Sequence, residues 1–318
     1  LSHYEARQFN AYKAFFERND AAADIFIRKD KRPWKGEDRF IQRDLSKTLK
    51  RIAKHGRDGF YTGPVAKMIV EEMKRGNGLI SMDDLFNYSS KYREPVTGSY
   101  KGYEVISMGP PSSGGALLIN MLNMLELYEK DSLEWNSSDY VHILTEIERR
   151  AYADRAEHMG DPDYWDVPLE MFKSKEYAEI RTADIDINKA SPSDEVYAGD
   201  PAGYESPETT HYSVVDQWGN AVSVTTTINL GYGNGCVVKG AGFFLNNEMD
   251  DFSSKPGVPN VFGLVGNEAN AIEPNKRPLS SMTPTIILKN NKPFLVIGSP
   301  GGSTIITTVM QTILNVVD

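Results

Sequence analysis

Thr209-Thr210-His211-Tyr212-Ser213-Val214-Val215-Asp216, then Gln217-Trp218-Gly219, then Asn220-Ala221-Val222-Ser223-Val224-Thr225-Thr226-Thr227 is the stretch whose reading decides the fold. Two runs rich in Val and Thr flank a short polar loop, the pattern of a β-hairpin. With Gln217-Trp218-Gly219 as the loop, Asp216 pairs with Asn220, and the same register pairs Thr209 with Thr227. Directly opposed residues in such a pair have Cβ atoms about 4.5–5.5 Å apart, so the two hydroxyls face each other across neighbouring strands. Asn229, two residues beyond Thr227, shares its face by strand alternation. A threonine is thereby delivered to the first position of a central strand with a Thr and an Asn beside it. Spacing alone leaves two meanings open: Thr–Thr pairs commonly just stabilise sheets, and the same trio suits a nucleophile with its orienting partners.

Upstream of this hairpin, residues 182–208 are polar and carry Pro192, Pro201 and Pro207, the composition of a linker. The chain before them reads mostly helical. Residues 45–55 place Leu45, Leu49, Ile52 and Ala53 at helical spacing. Pro64 suits an early helix position, with Gly76 as the stop. Ser81 starts a short helix through Leu85. Residues 100–108 alternate as one strand, and Pro110-Pro111-Ser112-Ser113-Gly114-Gly115 leads into an apolar helix over 116–127. Ser137 or Ser138 caps a long helix toward Gly160, with Val141, Leu144, Ile147 and Ala151 as its core stripe. Downstream the chain turns β-rich. Residues 285–288 and 294–297 flank a loop as a second hairpin, and Gly298-Ser299-Pro300-Gly301-Gly302 then opens a helix near Ser303. No repeat of solenoid or propeller period is present.

Composition narrows the function classes. The 318 residues are 40% hydrophobic and 25% charged, with a net charge of −9. That is the balance of a water-soluble globular chain and a poor footprint for nucleic acid, which needs clustered Lys and Arg. No apolar run approaches the roughly 18 residues of a membrane span. The one cysteine, Cys236, rules out an internal disulfide and has no His beside it in sequence, so it reads as structural. His3, His55, His142, His158 and His211 show no metal-ligand spacing, and no metal or cofactor is expected. The glycine-rich turn at 298–302 reads as a plain strand-to-helix turn or as an oxyanion hole built from free N–H groups at a helix start. A phosphate loop is a poor third, because the Gly-Lys-[Ser/Thr] ending is missing. Leu245-Asn246-Asn247-Glu248-Met249-Asp250-Asp251-Phe252 gathers acceptors suited to a cation, without calcium-loop spacing. Ser280 and Ser281 are adjacent hydroxyls outside any nucleophile elbow.

Taken together, these motifs resemble the γ-glutamyltranspeptidases. The likeness is carried by Thr209-Thr210-His211-Tyr212-Ser213-Val214-Val215-Asp216, by Asn246-Asn247-Glu248-Met249-Asp250-Asp251-Phe252 and by Asn275-Lys276-Arg277-Pro278-Leu279-Ser280-Ser281-Met282. Gly298-Ser299-Pro300-Gly301-Gly302-Ser303 and the Pro110-Pro111-Ser112-Ser113-Gly114-Gly115 segment match as well, in family order over almost the whole chain. The resemblance implies an α+β, four-layer αββα N-terminal nucleophile hydrolase fold, here truncated at both ends. Residues 1–208 would be the C-terminal part of a large subunit and 209–318 the N-terminal part of a small, catalytic one. It also implies self-cleavage between Glu208 and Thr209, giving a two-subunit heterodimer. The activity implied is γ-glutamyl transfer or hydrolysis. Glutathione and related compounds are the donors, an amino acid, peptide or water is the acceptor, and no cofactor is needed.

By the same resemblance Thr209 is the nucleophile, Thr227 orients it, and the N–H groups of Gly301 and Gly302 form the oxyanion hole. Asn229, Glu248 and Asp251 take the substrate α-ammonium, and Ser280 and Ser281 its α-carboxylate. Residues 256–275 match a lid, with Phe262 where several relatives have Tyr. A carboxylate-clamping arginine belongs upstream of Leu1, and the sequence offers no evident replacement. The implied location is periplasmic or secreted, although the sequence shows no signal peptide. The other readings are a relative with another acyl substrate, such as poly-γ-glutamate or a cephalosporin side chain, and an inactive, uncleaved fragment.

Overall fold

The computed structural model describes residues 1–128, 133–192, 195–196, 209–261 and 263–318. Glu208, most of the second half of the linker and Phe262 lie outside the described residues. The chain forms two compact units, one of residues 1–92 and 230–247, the other of residues 93–229 and 248–318. These units cut across the change from helical to β-rich sequence at 209, because the helical stretch also supplies two strands.

The first unit holds helices α1 (His3–Ala11), α2 (Lys13–Phe16), α3 (Asp20–Phe26), α4 (Arg43–His55), α5 (Asp58–Tyr61), α6 (Gly63–Gly76) and α7 (Met82–Asn87). Ser81 caps α7 in a reciprocal capping box with Asp84, and Pro64 sits in the first turn of α6. Phe9, Phe16 and Phe26 form an aromatic core with Val237, and Val65, Ala66 and Ile69 a second with Val238 and Ala241.

The second unit is built on a four-stranded antiparallel sheet of order β1-β2-β5-β6: β1 Val96–Tyr100, β2 Tyr103–Ser107, β5 Thr285–Lys289 and β6 Lys292–Ile297. The single strand expected over 100–108 is instead the second half of a hairpin. Lys101 and Gly102 turn the chain with φ of 45° and 79°, and Tyr100 pairs with Tyr103. Such a turn needs positive φ at both central residues. Lys in the first place hides the signal that Asn or Asp would give. The β5–β6 hairpin does carry that signal, in Asn290 and Asn291 at φ 53° and 59°.

Helix α8 (Gly114–Leu125) is buried along its whole length. Its apolar run is not confined to one stripe, as expected of a helix enclosed on every side. One side meets the sheet, where Ile119 leaves no room for a side chain on Gly98. The others meet α9 (Ser138–His158), α10 (Leu169–Lys173), α11 (Lys175–Thr182) and α12 (Ile305–Val317). Truncating a fully buried leucine here, such as Leu118, should cost about 2–5 kcal/mol. On α9, Leu144, Ile147 and Ala151 are buried as expected, but Val141 is 52% exposed and Tyr140 and Ile143 take the core positions. The helix turns a slightly different face inward than the stripe suggested. The start of the linker is pinned to α9: Arg150 donates to Asp184 at 3.0 and 2.9 Å, and Ser191 N–H donates to Glu146 at 2.9 Å.

Strands β3 (Thr209–Val215) and β4 (Ala221–Thr227) pair antiparallel in the expected register, with Thr209 opposite Thr227 and Val215 opposite Ala221. Among the described residues β3 pairs with β4 alone, where the sequence suggested a central strand with neighbours on both sides. The hairpin lies against β6 instead. There Ser213 donates to the carbonyl of Val296 and Ser223 to that of Ile297, each at 3.0 Å.

Candidate active site

A cleft in the second unit is lined by Thr209, Thr227 and Asn229 from the end of the β3–β4 hairpin, by Asp251, by Ser280 and Ser281, and by Gly302. Seven of the residues singled out in the sequence therefore meet in one place. They are drawn from segments up to about ninety positions apart.

Thr209 is half-buried at the first position of β3, and its hydroxyl donates to Thr227 Oγ at 3.5 Å. Thr227 Oγ also accepts the N–H of Asn229 at 2.9 Å. Asn229 is buried and lies past the end of β4 with φ 70°, a conformation Asn tolerates better than most residues. It reaches the cleft through this turn rather than by the strand alternation expected.

Gly301 and Gly302 have φ of 140° and 54°, so both positions favour glycine. The carbonyl of Gly301 accepts from the N–H and the hydroxyl of Thr304, at 3.0 and 2.8 Å. That carbonyl faces into the helix start. In a trans peptide the following N–H points the opposite way, so the N–H of Gly302 is directed out of the turn. Among the described residues it donates to none, and Gly302 lines the cleft. From α9, Tyr152 donates its hydroxyl to the carbonyl of Ser303 and ties the turn in place.

Asp251 and Glu248 lie in one 3-10 turn, Glu248–Asp251, and share a side-chain hydrogen bond. Burial first, and then the neighbouring Glu248 carboxylate, push the Asp251 carboxyl up to about 8, while Arg155 pulls the other way. Burial raises Glu248 as well. Two half-buried carboxyls this close cannot both ionise freely, so the pair retains a proton near neutral pH. A cation placed between them would displace it.

Ser280 and Ser281 are held by the Pro110-Pro111-Ser112-Ser113 segment. Ser280 N–H donates to Pro111 O at 2.9 Å, Ser113 N–H and Oγ both donate to Ser280 O at 2.9 Å, and Ser112 Oγ donates to Met282 O at 2.7 Å. The motif's role in this unit is thus to fix the backbone that carries the two serines. Asn270 joins the acidic turn to the same segment. Its Nδ2 donates to Asp251 O at 2.7 Å, and its Oδ1 accepts from Leu279 N–H at 3.0 Å.

Arg155 is the residue that sequence reasoning missed. It is buried on α9 and lines the cleft, with Nε donating to Ser113 Oγ at 3.0 Å and one Nη to Ser281 Oγ at 3.2 Å. The sequence offered no evident replacement for an upstream arginine, yet the fold carries this guanidinium to the serine pair. The signal available in the sequence was slight: an arginine in a helix with no Asp or Glu three or four residues to either side. From the 256–275 segment, Leu264 reaches the cleft and Asn260 Nδ2 lies 3.4 Å from Asp251 Oδ1.

Cys236, in the first unit, has no part in this cleft. Its thiol sits 3.6 Å from a Glu72 carboxylate oxygen and accepts from Asn19 Nδ2 at 3.4 Å. Burial and the Glu72 charge push it up to about 11.

The family model for gamma-glutamyltranspeptidase matches residues 1–318. The glutathione hydrolase proenzyme of Escherichia coli K12 is 52% identical over 290 residues, 91% of this chain and 50% of that protein. The acylase ACY 1 proenzyme of Pseudomonas sp. SE83 is 38% identical over 280 residues, 88% of this chain and 48% of that protein. The chain thus spans about half the length of the curated relatives it matches. Among solved structures, Helicobacter pylori gamma-glutamyltranspeptidase aligns with TM-score 0.60 and 38% identity over 62% of this chain and 56% of that one. Cephalosporin acylase from Bacillus halodurans aligns with TM-score 0.83 over 100% of this chain and 56% of that one, at 24% identity, a likeness of fold. The fold is α+β and of the N-terminal nucleophile hydrolase class. The chain belongs to the γ-glutamyltranspeptidase family. Among the described residues no helix is long and apolar enough to cross a membrane.

Proposed function

We propose that the protein is a γ-glutamyl acyltransferase and hydrolase acting on glutathione and related γ-glutamyl compounds through a γ-glutamyl ester on Thr209. The observation that carries this reading is the meeting in one cleft of the Thr209 hydroxyl, the Asp251 carboxyl with Glu248 behind it, and a serine–arginine site. A γ-glutamyl group has a reacting carbonyl at one end and an α-ammonium and α-carboxylate at the other. In this reading Glu248, Asp251 and Asn229 take the ammonium. Ser280 and Ser281, the latter oriented by Arg155, take the carboxylate. The γ-carbonyl is left beside Thr209.

A threonine hydroxyl needs a base to attack. An α-amine on Thr209 has a pKa of about 7.7–8.0, close to working pH. Cleavage between Glu208 and Thr209 would create it. In that maturation step the Thr209 oxygen attacks the Glu208 carbonyl, the C–N bond breaks as the ester forms, and water then hydrolyses the ester. The products are a Glu208 carboxylate and the free amine. In turnover the Thr209 oxygen bonds to the γ-carbonyl carbon and its proton passes to the α-amine. Negative charge gathers on the carbonyl oxygen, where the N–H groups of Gly301 and Gly302 are assigned as donors worth about 3–4 kcal/mol each. The C–N bond to the leaving amine breaks and the amine takes the proton. Water, an amino acid or a peptide then accepts the acyl group. Residues 1–208 would fall in the large subunit and 209–318 in the small one, in a periplasmic or secreted heterodimer.

A second reading, deacylation of another acyl group, is supported by the 38% identity to an acylase proenzyme. Where that acyl group lacks an amino group, it leaves the Glu248–Asp251 pair without a cation to bind. The two readings separate on γ-glutamyl and glutaryl anilides, which differ only by the α-amino group. A γ-glutamyl transferase releases the anilide dye from the first and scarcely from the second. Comparable rates on both would overturn the assignment.

A further inference from the structure

The β3–β4 hairpin carries two more polar pairs in step with Thr209–Thr227. His211 is opposite Thr225 and Ser213 is opposite Ser223. In strands, residues two apart share a face, so all three pairs line one side of the hairpin. Ser213 and Ser223 use this side to grip the carbonyls of Val296 and Ile297, the last residues of β6. The next residue is Gly298, where the glycine-rich turn begins.

His211 fills the gap between that turn and the threonine pair. Its Nδ1 lies 2.9 Å from Thr225 Oγ and its Nε2 lies 3.0 Å from Ser213 Oγ. Ser213 already spends its hydroxyl hydrogen on Val296 O, so its oxygen accepts from Nε2–H. Nδ1 is then the acceptor for the Thr225 hydroxyl. The ring is therefore neutral and held in one tautomer by both nitrogens, and burial favours the same state. Its atoms would lie 2.2–2.8 Å from a Cβ built on Gly298, so ring and glycine backbone are in direct contact. Only a residue without a side chain fits there.

We infer that His211 is a positioning residue, a spacer that fixes the glycine-rich turn at its working distance from the Thr209 hydroxyl. It touches neither the reacting carbonyl nor the substrate ends in the proposed reaction. Its effect falls on the separation between nucleophile and oxyanion donors, a quantity that matters to the transition state and little to ground-state binding. This inference rests on the proposed function, because it needs Thr209 to be the nucleophile.

The test is a size exchange in the whole protein, with kcat and KM measured on a γ-glutamyl anilide and expressed per mole of cleaved chain. His211→Ala should lower kcat by about 10–100-fold, the loss expected for a displacement near 1 Å, while KM stays near the parental value. His211→Gln, which keeps a donor and an acceptor, should recover part of that loss. Gly298→Ala should lower kcat comparably, since its methyl meets the ring. The double variant, His211→Ala with Gly298→Ala, should exceed Gly298→Ala alone, because the methyl enters the space the ring left. Where a variant cleaves too slowly to assay turnover, the half-time of self-cleavage reads the same geometry. A parental kcat for His211→Ala, a change in KM alone, or a double variant no better than the product of the singles overturns the inference. A wild-type protein that leaves the anilide intact overturns the proposed function and this inference with it. Active wild type beside unaffected His211 variants overturns the inference alone.

Discussion

Cys236 and Thr209 make an instructive pair. A thiol is by nature the better nucleophile, and a threonine hydroxyl is among the poorer ones. The surroundings reverse that order. Cys236 is half-buried beside the Glu72 carboxylate, and these two effects outweigh the pull of the Arg75 guanidinium, so it stays protonated far above neutral pH. Thr209 has a hydroxyl opposite it across the strand, a helix-start turn nearby, and the buried Arg155 and half-buried Asp251 on the cleft wall. The proposed choice of nucleophile thus rests on what the fold places around each residue.

The largest test of that contrast is Thr209→Ala. It should leave the precursor uncleaved on a denaturing gel and lower γ-glutamyl hydrolysis by at least about three orders of magnitude. Parental cleavage in this variant would transfer the nucleophile's role elsewhere. The parent, in turn, should yield a smaller fragment whose N-terminal sequence begins Thr209-Thr210-His211.

Asp251→Ala should come next. Losing a charged hydrogen-bond partner costs about 1.5–3 kcal/mol, or about 10–150-fold in kcat/KM. Self-cleavage involves no substrate ammonium and should proceed at the parental rate. Equal damage to both reactions would show that Asp251 holds the fold rather than the substrate.

The shared proton of Glu248 and Asp251 makes a pH prediction. The Asp251 carboxyl is raised to about 8, so below that pH an incoming ammonium must displace a proton. KM for a γ-glutamyl anilide should therefore rise as pH falls below 8, by up to about tenfold per unit. Glu248→Gln removes the neighbouring negative charge, lowers the Asp251 carboxyl and should shift that rise to lower pH. A KM that is flat between pH 6 and 8 in the parent rules out the shared proton.

The smallest effect belongs to Cys236→Ala. Turnover should stay within about twofold of the parent and stability should fall by about 1 kcal/mol, read as a slightly lower unfolding midpoint. Loss of activity with the fold intact would put the thiol back among the functional groups.

Local chemistry wrote some of this plainly. The Thr209–Thr227 register follows from loop length and Val/Thr alternation within nineteen consecutive residues, and the fold keeps it. The second hairpin is legible too, but its turn is the two residues Asn290–Asn291 rather than the longer loop expected over 289–293, and the Lys101–Gly102 turn is not legible, because lysine gives no warning of positive φ. The inward face of α9 was misjudged at Val141, since helical spacing fixes which residues line up and packing decides which line faces in.

The Thr209–Thr227 hairpin, the glycine-rich turn, the acidic turn and the serine pair were all legible in the sequence, because each is a short segment whose residues act together. Tertiary structure alone decided that Arg155 meets Ser281 across 126 positions, that the Ser112–Ser113 segment holds Ser280, and that His211 packs on Gly298. Those contacts depend on how α9 and β6 pack in the second unit. No local propensity encodes that packing, since the energy comes from burying surfaces that lie far apart along the chain.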